Sequence, residues 1–531
     1  MKEQTPKPRI RRRAKRVPDT QQGALFPSAL PDAPMPKTGG RVKFENPSPR
    51  INFGPTPLDE YLAEAGLTVP LGLRAELAAA DLSALVANYD GCGRPPIHPA
   101  LLLGLIVYGM LYRVWSLRGL EELAKRDVGA WWVCGGLHPD HSTIGAFVRR
   151  HEATLTEEFF VTLTGELCRK LKLAPGAAAG DGTVIEAAAS HYRVLKAEAL
   201  AQAAAAAPEQ PELQAAAAVA VERLAAAKAN GQEPGRVCLT PVEPEAVVQP
   251  LKNGANRPSY KPSVLANAAR LIVGQHVHPS NEGAALPPML KQHEALAGGP
   301  PTRILLDAGY HNQAVLTMCV DLDLDVLCPT GKADRGQWEK AAAGALFAKQ
   351  AFRYDEDADV YRCPAGRELS RESAAVGPDG RHVQLYRGRH CATCPQRSAC
   401  TKSAHGRTIS RFDGDELKEA LRLVMAQPPA RAAYRQRKIM VEPVFAELRE
   451  RQGLTRFHRR TLAGARVEFA LHCLAYNLKR AQRLQALAGA RFTAFFGLFA
   501  ARGALWAASG LAIRLSRENG RVVALRLQRV G

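Results

Sequence analysis

The chain has little that would take it into or through a membrane. No apolar stretch of signal-peptide type follows its basic N-terminus. The run Ala100 to Tyr112 is too short to span a bilayer and ends at Arg113, and a second, Phe492 to Leu515, is broken by Arg502. Both read as core helices, and a cytoplasmic location is expected. A P-loop is missing, so ATP hydrolysis is not indicated. His98, His141, His311, His390 and His472 are scattered, and no pair has metallopeptidase spacing. No internal repeat is visible. Of the 11 cysteines, Cys92, Cys134, Cys168, Cys238, Cys319, Cys328 and Cys473 stand alone. In a reducing compartment these read as small buried hydrophobes.

What is present is a core and a charge. The 531 residues suffice for two to four domains, and 46% of them are hydrophobic. The 71 Lys and Arg exceed the 51 Asp and Glu, for a formal charge of +20. Such an excess speaks to partners, and polyanions, DNA or RNA first, are the obvious ones.

Residues 1–55 are rich in Pro and Lys/Arg, with the run Arg9 to Arg16, and read as a disordered basic arm. It either touches phosphates or solubilises the chain. Residues 56–170 read as short helices: Leu73 to Asn88, Pro99 to Tyr112, Leu117 to Arg126, and one from His141 capped by Ser142 or Thr143. Arg113, Arg118, Lys125, Arg126, Arg149 and Arg150 among them suit a DNA-binding domain, and a structural bundle would look similar. Strands are expected at 177–181, 264–266, 271–277, 303–307 and 324–329, with helices at 287–296, at 413–451 with breaks or kinks at Pro428 and Pro443, and at 467–487. An Ala-rich helical insertion (187–250) and a polar Cys-rich insertion (350–405) interrupt this pattern. Strands alternating with helices indicate an α/β catalytic domain over 171–485, followed by a tail, 486–531.

Asp181 and Asp307 each end an apolar strand, with a glycine one or two residues on. Strand ends meet open space, and two on adjacent strands bring two carboxylates together. Mg²⁺ takes such hard oxygens and keeps positions for water and phosphate. Two ions about 4 Å apart can activate an attacking oxygen and stabilise a leaving one. The third candidate, Glu442, sits in a basic segment: Arg431 to Arg460 holds nine Lys/Arg against three Glu. On a straight helix Arg431, Arg435, Lys438 and Arg449 fall within about 40° of Glu442. Asp at a strand end also forms turns, and Glu in a basic helix also forms solvated ion pairs. Glu186 and Glu447 are the rivals for the ligand role.

The segment Tyr434-Arg-Gln-Arg-Lys-Ile-Met-Val-Glu442-Pro-Val-Phe-Ala-Glu-Leu-Arg449 resembles the signature of bacterial insertion-sequence DDE transposases. The likeness continues through Gly453-Leu-Thr-Arg456-Phe and Leu474-Ala-Tyr-Asn-Leu-Lys-Arg480. Asp181-Gly-Thr-Val-Ile-Glu186 resembles the first-Asp motif, Asp307-Ala-Gly-Tyr310 the second, and Arg94-Pro-Pro-Ile-His-Pro-Ala-Leu-Leu-Leu the helical N-terminal domain. In order, these cover residues 60–485. The resemblance implies an RNase H-like mixed sheet flanked by helices, with Asp181, Asp307 and Glu442 holding Mg²⁺ or Mn²⁺. It implies nicking at the element's ends and attack of the freed 3′-hydroxyl on target DNA. Tyr434, Arg435, Arg437, Lys438, Arg449 and Arg456 would contact that DNA, and pairing of two ends implies a homodimer on it. Three departures stand out: Asn267 where relatives often carry Asp, Arg437 one residue further from the Glu than usual, and Arg449 where Lys is commoner. A catalytically silent DNA-binding derivative and a nuclease without strand transfer are the alternatives.

Cys363, Cys391, Cys394 and Cys400 have the composition of a structural Zn²⁺ site, in a segment poor in core residues. Reduced thiols or a redox pair are the other readings.

Overall fold

Helical periodicity governs the first third of the described chain. The computed structural model describes residues 42–48, 50–91, 94–173, 176–229, 233–330, 346–376 and 382–490, and the backbone of 512–518 and 521–528. Its helices are α1 (Thr68–Ala79), α2 (Pro99–Leu111), α3 (Leu117–Arg126), α4 (Val128–Val133), α5 (His141–Arg150) and α6 (Glu158–Lys170), of which α1, α3, α4 and α5 pack against α2. All of α2 is buried; proline opens its first turn, and His98 caps it by accepting from the Ala100 N–H. The cap of α5 is Asp140, not Ser142 or Thr143: its carboxylate accepts from the Thr143 N–H at 2.6 Å, and Ser142 Oγ donates to it. A carboxylate accepts both bonds and opposes the helix dipole, so it takes the position.

The expected arm is corrected at its end. Phe44 packs edge-on against Tyr89 and His98, Ser48 N donates to Gly135 O at 2.9 Å, and Ile51 lies against the core of Leu58, Leu62 and Trp132. These apolar contacts dock residues 42–55 onto the helices. The basic run Arg9 to Arg16 lies outside the described residues.

From residue 177 the chain builds a mixed α/β unit. Strand β1 (Ala177–Gly182) is followed by the helical excursion α7 (Ala197–Ala206) and α8 (Pro211–Ala229), which has a small core of its own. Then come β2 (Asn256–Asn267), β3 (Ile272–His278), α9 (Glu282–Ala297), β4 (Arg303–Leu305), α10 (Gln313–Asp321) and β5 (Asp325–Leu327). The sheet order is β3-β2-β1-β4-β5. Pairs β3/β2 and β2/β1 are antiparallel, while β1/β4 and β4/β5 are parallel. Helix α9 starts five residues before Pro287, because the Asn281 side chain caps it at Gly283 and Ala284. It lies close on β3 at Gly274, where a Cβ would stand 2.7 Å from the Met289 carbonyl oxygen.

A second, five-stranded antiparallel sheet fills the segment expected as a polar Cys-rich insertion and runs a few residues past it: β6 (Arg353–Asp355), β7 (Val360–Arg362), β8 (Glu368–Val376), β9 (His382–Arg387) and β10 (Thr408–Phe412), in that order. Its alternating inward residues, Tyr361, Leu369, Tyr386 and Ile409, form a small core with Phe352 and Cys400.

The helix expected over 413–451, with breaks or kinks at Pro428 and Pro443, is three: α11 (Asp415–Ala426), α12 (Pro428–Tyr434) and α13 (Gln436–Ala446), the last running into a π turn, Glu447–Arg451. Pro428 opens α12, as its ring requires, and Pro443 stays inside α13. The second break, at Arg435, has no sequence breaker. Arg431 therefore shares no straight stripe with Glu442.

Helix α14 (Thr461–Ala490) closes the sheet on β3. Its buried Asn477 replaces a missing strand: the amide accepts from Ile272 N and donates to Ile272 O, each at 2.8 Å, and also donates to Thr164 Oγ1. Each backbone group it satisfies would otherwise carry a penalty of about 1–3 kcal/mol. The tail holds a hairpin, Ala512–Glu518 with Arg521–Gln528. Among the described residues no helix is long and apolar enough to cross a membrane.

Candidate active site

Register brings the two aspartates together. Strands β1 and β4 are parallel neighbours, with Arg303 beside Ala177 and Leu305 beside Ala179. Carried on at the same offset, this register sets Asp307 beside Asp181. Asp307 lies just past β4, where its Oδ1 accepts from Gly309 N at 2.8 Å and caps the turn Ala308–Tyr310.

Arg437, near the start of α13, closes on both. Its Nη2 lies 2.8 Å from Asp181 Oδ1 and 3.9 Å from Asp307 Oδ2, and its Nε donates to Gly180 O at 3.2 Å. The residue is 8% exposed. Even so, burial wins at Asp181: desolvation, helped by the charges of Asp307 and Glu282, pushes its carboxyl up to about 6 against the pull of Arg437 and the Gly182 N–H. A raised carboxyl in a charged cleft is a mark of functional sites.

A third acid stands beside these two that sequence reasoning missed. Glu282, in the first turn of α9, is 8% exposed, and Lys261 on β2 lies 2.6 Å from its Oε1. Burial raises its carboxyl too, against the pull of Lys261. The signal available was Asn281-Glu282-Gly283, an Asn cap with an acid in the first turn.

The other expected residues are placed as follows. Glu442 is exposed on α13 and forms no hydrogen bond or ion pair among the described residues. Its helix lies against β1, and on the same helical path Arg449 donates to Thr183 Oγ1 at 2.7 Å, two residues from Asp181. Tyr434 is half-buried, and burial lifts its hydroxyl to about 12 against the charge of Arg437. Arg435 and Lys438 are exposed beside it. Arg437 faces the aspartates rather than solvent. Arg456 is spent on the chain itself: it donates to the carbonyls of Ala187, Ala188 and Ala189. Of the rivals, Glu447 is held by Lys479 at 2.7 Å and Arg451 at 3.3 Å. Glu186 pairs through its backbone with Thr455 and Phe457. Neither joins the aspartates. Asn267 closes the β2–β3 turn by accepting from Leu271 N.

Cys363, Cys391, Cys394 and Cys400 line one small space at the edge of the second sheet, with Arg367, His390 and Arg407. All four are free thiols. Cys363 Sγ accepts from Arg367 N at 3.3 Å, and Cys391 Sγ from Arg407 N at 3.4 Å. Among the described residues no three His, Cys, Asp or Glu side chains are arranged to hold a metal ion as they stand.

Comparison with known families gives two matches. Residues 362–482, with the cysteines and Glu442, match a model described as a transposase DDE domain. Residues 72–150, from α1 to α5, match a transposase domain (DUF772). Asp181 and Asp307 lie outside both stretches. No curated protein matches the chain. Both matches are to transposase domains, the DUF772 stretch preceding the DDE stretch along the chain, and in these two stretches the chain is similar to insertion-sequence DDE transposases.

Proposed function

We propose that this chain cuts DNA at the ends of an insertion sequence and joins the freed 3′-hydroxyls to target DNA. The observation that carries the reading is the single guanidinium shared by Asp181 and Asp307 at the carboxyl ends of two parallel strands. The strand order β3-β2-β1-β4-β5, antiparallel on one side of β1 and parallel on the other, supports an RNase H-like domain over 171–485.

Transposase DDE domains generally use divalent metals, and the donor set fits one. Asp181 and Asp307 offer hard oxygens beside the buried carboxylate of Glu282, where a cation offsets their mutual repulsion. Mg²⁺ is satisfied by one or two carboxylates plus water and phosphate, so a closed cage of ligands is not needed. Asp181, Asp307 and Glu442 would hold Mg²⁺ or Mn²⁺. When bound, the ions activate an attacking oxygen and stabilise a leaving one.

The chain's own residues do the rest. Exposed Arg435 and Lys438, at the start of the helix that carries Glu442, offer phosphate contacts. Arg449 ties the π turn to Thr183 and so holds α13 against β1. The helices of 56–170 serve as a DNA-binding domain, and two copies pair two ends. Cys363, Cys391, Cys394 and Cys400 would hold a structural Zn²⁺; the shared closed space and the N–H···S bonds support this.

The test is to incubate the full chain with DNA carrying the candidate ends, Mg²⁺ and a target plasmid. Nicked ends followed by joined products are expected. Nicks without joining would make it a nuclease, and binding without nicks a silent derivative.

A further inference from the structure

Glu282 stands where the turns of the two aspartates meet. A Cβ on Gly182, the residue after Asp181, would lie 2.9 Å from Glu282 Oε1. A Cβ on Gly309, two residues after Asp307, would collide with Glu282 Oε2. The two glycines that follow the aspartates are thus the residues that make room for this one carboxylate. The side chain is fixed from both ends. Asn281 caps its helix, and Lys261 Nζ lies 2.6 Å from Oε1. Any larger residue at 182 or 309 would push the carboxylate out, and a shorter acid at 282 would support the two turns less closely.

We propose that Glu282 is a positioning residue of the Asp181–Asp307 site: wedged between Gly182 and Gly309, it holds both aspartate turns in register and adds its negative charge to the field a divalent cation enters. Lys261 is its counterion until the cation arrives. The inference rests on the reading of Asp181 and Asp307 as metal ligands.

The experiment measures Mn²⁺ binding to the full chain by electron paramagnetic resonance, without DNA, alongside thermal unfolding. Glu282→Gln keeps the shape and the contact with Lys261 but loses the charge. It is expected to weaken Mn²⁺ binding by about tenfold or more, the range seen when a group behind metal ligands is removed, with Tm of the metal-free protein unchanged or higher. Glu282→Asp, which keeps the charge on a shorter arm, is expected to recover part of the affinity. Unchanged Mn²⁺ affinity in Glu282→Gln overturns the proposal, provided Asp307→Asn loses binding in the same assay. If Asp307→Asn also binds normally, it is the reading of the aspartates that fails. Should Glu282→Gln not fold, Lys261→Met decides: freeing Glu282 of its counterion is expected to strengthen Mn²⁺ binding, and no change or a loss overturns the proposal.

Discussion

Asp181→Asn is expected to lower DNA cleavage by about 10³-fold or more while raising the thermal stability of the metal-free protein at pH 7.5. The first effect follows from removing a metal ligand: a bound cation supplies several kcal/mol of transition-state stabilisation, and each 1.36 kcal/mol is about tenfold in rate. The second follows from the strain on the carboxylate. Its folded value of about 6 lies above the roughly 3.9 of an unfolded aspartate. Between those values the native state binds more protons than the unfolded one, so stability falls as pH rises from about 4 through 6 and stays lower above. Two units correspond to about 3 kcal/mol, an upper bound. Asparagine keeps the shape and never ionises. The stabilisation should therefore be present at pH 7.5 and vanish at pH 4, where the wild-type carboxyl is itself neutral. Cleavage assays and thermal unfolding at both pH values check this. Wild-type cleavage in the variant would remove Asp181 from the chemistry, and equal Tm at pH 7.5 would show that its charge is not strained.

Arg437→Met is expected to act in the opposite sense on stability. The guanidinium is buried between two carboxylates, and removing one partner of a buried ion pair typically destabilises by about 3–5 kcal/mol, because the other charge is left uncompensated. The loss should be largest at pH 7.5 and shrink towards pH 4, as Asp181 takes up a proton. Added Mg²⁺ should restore more Tm to this variant than to wild type, since it would replace the missing cation. Thermal unfolding with and without Mg²⁺ reads both effects. A variant as stable as wild type at pH 7.5 would mean that the aspartates need no counterion.

The parts of the site legible in the sequence were those written in short local patterns. Asp181 and Asp307 each close an apolar run before a glycine, and strand ends of that kind face open space. The segment around Glu442 was legible by its order of residues. Glu282 was not, because its role depends on how α9 crosses the sheet rather than on its neighbours; Pro287 drew the helix start downstream of the Asn281 cap. The break at Arg435 carries no proline or glycine and arises from packing. The second sheet was hidden because four of its strands bury one inward residue each, too few for a visible alternation, and two of those four are tyrosines that a count of aliphatic residues overlooks. The bonds of Arg456, expected among the DNA contacts, to the carbonyls of Ala187, Ala188 and Ala189 were not legible either, because they join stretches far apart in the chain.

The central claim is that Asp181, Asp307 and Glu442 share divalent cations over DNA. The most direct measurement is the anomalous scattering of Mn²⁺ in crystals of the protein bound to an element end. The account predicts manganese between Asp181 and Asp307, with Glu442 turned in to coordinate it. Manganese bound elsewhere, or bound at the aspartates with Glu442 still facing solvent, would contradict it.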